Sequence, residues 1–167
     1  MRFILPIILL ITCLPVSGQI KNMNDTREII IQSSDSIIKF EILTENPKKQ
    51  NPNDNIRYFW YHNNQLASNY GGFTGNLLHG NYELLYEGRL ITSGQFEYGL
   101  KSGTWYNWSN KGKVRNKIEY KKGIKDGHFI MTDKKSIKIT GKYRKGKLHG
   151  KVKYVGDDST YTIKYNN

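Results

Sequence analysis

The sequence predicts an all-β protein, an elongated, twisted antiparallel sheet of tandem β-hairpin repeats, and three observations carry that expectation. Glycines recur at Gly80, Gly103, Gly127 and Gly150, 23 or 24 residues apart. Phe73, Phe96, Tyr120 and Tyr143 stand seven residues before them, and Tyr82, Trp105, Phe129 and Val152 two after. A period of this size marks stacked supersecondary units that share one core. Second, segments between turn residues alternate, as in Ile137, Ile139 and Gly141 against Lys138, Thr140 and Lys142, the pattern of a sheet with one covered and one wet face. Third, no sustained helical apolar stripe is present, and each of the frequent glycines would cost a helix interior about 1 kcal/mol.

The elements follow in order. Residues 1–18 read as a secretory signal: Met1-Arg2, an apolar run from Phe3 to Leu14, and Val16-Ser17-Gly18 suited to cleavage after Gly18. The run is shorter than the roughly 20 residues a membrane-spanning helix needs. The expectation is therefore an exported chain, periplasmic or extracellular, with no transmembrane segment after processing. Cys13, the single cysteine, lies inside this signal, so the exported chain would have neither a disulfide nor a thiol nucleophile. The alternative is a lipoprotein anchored through Leu10-Ile11-Thr12-Cys13, which is disfavoured by the size of Thr12.

Residues 19–57 are expected to form an N-terminal β-hairpin cap and a loop. After a polar lead-in, Ile29-Ile30-Ile31 and the run from Ile37 to Leu43 are β-branched stretches flanking Gln32-Ser33-Ser34-Asp35-Ser36, a polar turn. Two prolines among Asn and Asp then make Asn46 to Asn55 a loop.

Residues 58–167 form the repeat array. Tyr58, Tyr61, Asn64 and Leu66 align with Trp105, Trp108, Gly112 and Val114 as an incomplete first unit. In the full units a strand, a turn and a return strand follow one another. The turns are Glu87-Gly88-Arg89, Asn110 to Lys113, Asp133 to Ser136 and Gly156 to Ser159. The repeat glycine is expected at the start of a strand, where it permits positive φ or close backbone approach. Trp105 and Trp108, separated by three, would lie on opposite faces unless a bulge intervenes. Nine to eleven strands at about 4.8 Å give a ribbon on the order of 45 Å long.

Charge is unevenly distributed. Residues 19–100 hold 7 basic and 9 acidic side chains, and residues 101–167 hold 18 basic and 5 acidic ones, so one half is −2 and the other +13. Such a field favours anionic partners, while the same lysines keep an edge-rich β-protein soluble.

The units Gly80-Asn81-Tyr82, Gly103-Thr104-Trp105 and Gly127-His128-Phe129, each followed by a turn and then by a link such as Tyr143-Arg144-Lys145-Gly146-Lys147-Leu148-His149-Gly150, resemble MORN repeats, and more closely the bacterial MORN-variant form. The resemblance covers Tyr58 to Tyr165 and rests on recurrence. It departs in the first unit, where a glycine is shifted to Gly75, and in the last, where Val152 replaces the aromatic. It implies an elongated sheet of hairpins used for protein interaction or scaffolding, with lipid contact in some members and an antitoxin-like role, with a toxin as partner, in others.

No catalytic, cofactor-binding or metal residues are assigned. His79 and His149 share a repeat slot with Ser102 and Asp126, which reads as a turn position rather than a metal site, and His62 and His128 lie elsewhere in the register. No Gly-x-Ser-x-Gly elbow or phosphate-cradling loop is present. A hydrolase would require acids such as Glu83, Glu97 and Glu119 to converge in a cleft. Lys121, Lys122, Lys142, Arg144, Lys145 and Lys147, interleaved with aromatics, form the candidate surface for an anionic partner. An export signal argues against nucleic acid and leaves an acidic protein, anionic lipid or polysaccharide. The leading expectation is a non-enzymatic protein-binding or scaffold module.

Overall fold

The computed structural model describes residues 25–133 and 136–166; the expected signal and Cys13 lie outside them. Among the described residues there are twelve strands and no helix: β1 (Thr26–Gln32), β2 (Ser36–Leu43), β3 (Arg57–His62), β4 (Gln65–Tyr70), β5 (Asn76–Tyr86), β6 (Arg89–Glu97), β7 (Leu100–Trp108), β8 (Val114–Lys121), β9 (Ile124–Thr132), β10 (Lys138–Arg144), β11 (Lys147–Val155) and β12 (Thr160–Tyr165). They make one open sheet in the order β1-β2-β5-β6-β7-β8-β9-β10-β11-β12, antiparallel throughout. The all-β expectation holds.

One apolar row crosses ten strands. Ile29 is paired with Phe40, Phe40 with Tyr82 and Tyr82 with Gly94. Trp105 is paired with Ile118, Ile118 with Phe129, Phe129 with Gly141, and Val152 with Ile163. Glycine sits where a ring needs room. A Cβ on Gly94 would land in the Trp105 indole, and one on Gly141 would meet Val152 and Phe129. A second row on this face is apolar at both ends, Ile31, Ile38 and Leu84 at one and Met131, Ile139 and Tyr154 at the other. Its centre is polar, where the Thr92 hydroxyl donates to Asn107 at 2.9 Å.

The β3–β4 hairpin leaves the path. β5 pairs along most of its length with β2, and only its first residues meet β3, through Trp60 with Leu77 and Tyr61 with Asn76. The hairpin instead packs on the apolar face, with Phe59 4.9 Å from Phe96 and Tyr61 5.6 Å from Phe40. The Phe59 N–H donates to the Gly99 carbonyl at 2.8 Å. A second cluster of Leu43, Tyr58 and Leu77 fastens it, and Phe73 packs on Tyr58 there. Farther along, burial comes from the strands themselves: Ile118, Phe129 and Val152 are covered by residues of β8 to β12, such as Tyr143 4.6 Å from Phe129.

The repeat glycines are not at strand starts. Gly80, Gly103, Gly127 and Gly150 lie inside β5, β7, β9 and β11 with positive φ, +119° at Gly127. Each faces an aromatic on the following strand: Phe96, Tyr120, Tyr143 and Tyr165. The space a side chain would take is held by a carboxylate at Gly80 and Gly127 and is open at Gly150. The slot of His79, Ser102, Asp126 and His149 is accordingly within strands and not in turns. Besides the expected turn at Glu87-Gly88, tight turns occur at Tyr98-Gly99, Lys122-Gly123 and Lys145-Gly146, both residues left-handed in each, as two-residue hairpins require. These turns are stitched to the preceding hairpin, for the Gly123 N–H reaches the Lys101 carbonyl at 2.9 Å and the Gly146 N–H the Lys125 carbonyl at 2.9 Å. Trp108 shares the face of Tyr106, with which it stacks at 5.6 Å, opposite Trp105. Both faces therefore carry aromatics.

Candidate functional site

Strand alternation gives the sheet a second, polar face, and the charge gradient is laid out across it. Glu28 is paired with Glu41, and Lys39 with Glu83, at the β1 end. A groove there is lined by Glu28, Lys39, Glu41, Asn81, Glu83 and Gln95 among others. Uncharged Ser93 and Tyr106 follow, the latter paired with Lys117. At the far end Lys142 stands between His128 and His149, and Lys151 faces Lys164. A second groove there is lined by His128, Lys142, His149, Lys151 and Lys153 over a floor that includes Phe129 and Ile130. Residues two apart on a strand and one strand apart place these cations about 5 to 7 Å from one another, an array suited to an extended anionic surface rather than to a single small ion.

Two carboxylates on this face have a structural task. Glu41 accepts the Asn81 N–H at 2.9 Å, and Glu119 accepts the His128 N–H at 2.7 Å with His128 Nδ1 3.6 Å away. Each occupies the space beside Gly80 or Gly127 that a Cβ would fill. The donor is the amide just after the glycine, freed by the local distortion of the strand. Charge-assisted bonds of this kind are among the stronger ones.

The sequence-predicted cations fall into two sets. Lys121 and Lys122 project from the β8–β9 turn, and Arg144, Lys145 and Lys147 from the β10–β11 turn, all exposed. Those two turns lie on the same long edge of the ribbon, two strands or about 10 Å apart. Lys142 is also exposed but belongs to the polar face. Of the predicted structural positions, Trp105 and Phe129 are buried and Tyr82 half-buried in the apolar row.

Glu83, Glu97 and Glu119 do not meet: Glu83 lines the acidic groove, Glu97 lies 3.5 Å from the Ser102 hydroxyl, and Glu119 is engaged as described. The four histidines do not meet at one site either, for only His128 and His149 line a common groove. His79 accepts the Tyr98 N–H at 3.3 Å, and His62 lies by Trp60. Among the described residues no group of three or more His, Cys, Asp or Glu could hold a metal, and no helix is long and apolar enough to cross a membrane.

One feature of the apolar face escaped sequence reasoning. Lys101 points inward, its ammonium 3.9 Å from the Trp105 ring centroid, 5.4 Å from Tyr120 and 5.7 Å from Phe59. Burial, reinforced by Lys125 and Arg57, lowers its pKa from 10.5 to about 8. Leu78, Lys101, Lys125 and Leu148 share one repeat slot, two residues before each anchor glycine. A slot with leucine at both ends of the array was the available sign that these lysines face inward. Burial also raises Tyr82, Tyr120 and Tyr143 above the usual tyrosine range. Tyr154 is pushed up to about 12, chiefly by its hydroxyl contact with Tyr165 at 3.2 Å.

No protein-family model matches this sequence, and a search of curated proteins finds no match.

Proposed function

We propose that this chain is an exported, non-enzymatic repeat protein of the MORN-variant kind, acting as a protein-binding or scaffold module. The observation that supports the reading is the partition of charge across one solvated face, from Glu28, Glu41 and Glu83 at one end to Lys142, Lys151 and Lys153 at the other. A ribbon with such a gradient orients an elongated partner and speeds its encounter, since complementary fields act before contact is made. The basic half is where an acidic protein surface docks.

The test is capture of partners from the organism's own envelope extract by the chain, repeated with Lys142, Lys151 and Lys153 reversed to glutamate. Partners retained by the native chain and lost on charge reversal support the reading. Equal retention of every partner by both proteins would remove the basic half from it.

The turn tips favour a second reading, an envelope-surface binder of anionic lipid or polysaccharide. Lys121, Lys122, Arg144, Lys145 and Lys147 share one edge, which a flat anionic surface could meet at two turns at once. Binding to anionic vesicles or polymer at low salt that disappears at high salt would support it. Absence of binding at low salt would count against it.

A further inference from the structure

We propose that the sheet continues from one copy of this chain into the next, with β12 of one molecule pairing antiparallel with β1 of another. This goes beyond the binding role above and concerns the two ends of the ribbon, not its polar face.

Among the described residues neither terminal strand has a second neighbour, for β1 pairs there only with β2, and β12 only with β11. Each therefore presents a row of backbone donors and acceptors on its outer side, a template for another strand. β12, Thr-Tyr-Thr-Ile-Lys-Tyr, holds one charge and no proline, and no register shift interrupts its pairing with β11. Large apolar side chains are also exposed at these two strands: Ile30 at 56%, Tyr161 at 51% and Ile163 at 41%.

A single antiparallel register satisfies both edges. Placing Ile163 opposite the neighbour's Ile29 continues the apolar row, whose ends these two residues are. The same register sets Tyr161 opposite Ile31, continuing the second apolar row, and Thr162 opposite exposed Ile30. Tyr165 then meets Arg27, a ring and a guanidinium. Lys164 meets Glu28. Because β1 and β12 stand at odd and even places in a ten-strand antiparallel path, the neighbour enters with its apolar face on the same side.

Charge selects this arrangement over the symmetric one. Within one molecule each edge carries a like-charge cross-strand pair, Glu28 with Glu41 and Lys164 with Lys151, and such pairs are unfavourable. Head-to-tail pairing inserts Lys164 beside Glu28 and relieves both. Pairing β12 with a second β12 would instead join two halves of +13 each, whereas head-to-tail contact sets +13 against −2. A head-to-tail contact does not close on itself unless the rotation permits, so the expected product is a run of copies rather than a fixed dimer.

Sedimentation velocity over a concentration series tests this with the chain alone. The native protein is expected to sediment faster as concentration rises. Glu28→Lys and Lys164→Glu, which juxtapose like charges in this register, should each weaken association about tenfold, and the double variant Glu28→Lys/Lys164→Glu should restore it. Ile30→Lys, at an exposed position, should also weaken association while leaving the circular dichroism spectrum unchanged. A native protein that remains monomeric at every concentration overturns the proposal. So does association that survives Glu28→Lys but not Lys164→Glu, which would mean that β12 pairs with itself, and so does a charge-swapped double variant that fails to recover.

Discussion

Lys101 holds its ammonium 3.9 Å from the centroid of the Trp105 ring, inside the apolar face of the sheet. The ring faces attract the cation, while loss of water and the nearby Lys125 and Arg57 oppose it, and its pKa falls to about 8. In the unfolded chain the same amine titrates near 10.5. Between those values the unfolded state binds the proton and the folded state does not, so stability rises with pH across that window. Below about pH 8 both states are protonated and the burial cost of the charge is fully present. Tyrosines 82, 120, 143 and 154 work in the opposite sense above about pH 10, because their raised pKa values let the unfolded chain ionise first. Urea midpoints for the native protein are therefore expected to increase from about pH 7.5 to about pH 9.5. Lys101→Met, which keeps the stem but removes the titration, should flatten that increase. A slope that Lys101→Met leaves intact would assign it to another group.

Gly127 tests the explanation of the glycine cadence. Its φ of +119° is strained for other residues, and a Cβ would enter the space held by the Glu119 carboxylate. Gly127→Val should destabilise the fold by more than about 1 kcal/mol. Gly88→Ala is the control, since Gly88 also has positive φ, +72°, but nothing within 4 Å of its would-be Cβ. Chemical denaturation should rank Gly127→Val well below Gly88→Ala. Equal losses at both would leave backbone strain as the whole effect and remove the carboxylate from the argument.

Gly94 makes a different demand, for its φ is not in the left-handed region and only space is at stake. A Cβ there would land in the Trp105 ring, so Gly94→Ala should cost about 1–3 kcal/mol through overpacking. The cost should shrink once the ring is gone. A double-mutant cycle of Gly94→Ala with Trp105→Leu is expected to show coupling of about 1 kcal/mol or more. Additive losses would mean that Trp105 is free to move aside.

The sequence carried the hairpin repeat in its offsets, but offsets measured within a unit cannot show which strand a residue faces. Phe96 stands seven before Gly103 and yet is paired with Gly80, one unit earlier. Phe73, seven before Gly80, covers no glycine and packs on Tyr58. The displaced β3–β4 hairpin was hidden for a similar reason: its local pattern is that of any other unit, and its removal from the path is decided by β2 taking the partner side of β5. Lys101 was missed because its burial needs Phe59, Trp105 and Tyr120 from three separate strands. The charge gradient could be counted from the sequence, whereas its placement on one face required the strand register, which sets Lys142 between His128 and His149 and Lys151 opposite Lys164.

That placement separates two ways in which the basic half could hold a partner. The turn-tip cations, Lys121, Lys122, Arg144, Lys145 and Lys147, and the polar-face cations, Lys142, Lys151 and Lys153, are reached from different directions. A flat anionic surface meets the tips, whereas an elongated acidic partner lying across the strands meets the face. Reversing Lys142, Lys151 and Lys153 to glutamate should abolish capture of a protein partner and leave adsorption to anionic vesicles largely unchanged. Reversing the five tip cations should do the opposite. All of these side chains are exposed, so neither set is expected to alter the melting temperature by more than a few degrees, with stability changes of about 0.5 kcal/mol per site. Equal losses of both kinds of binding from either set would mean that net charge alone, and not the geometry of the face, governs what this protein holds.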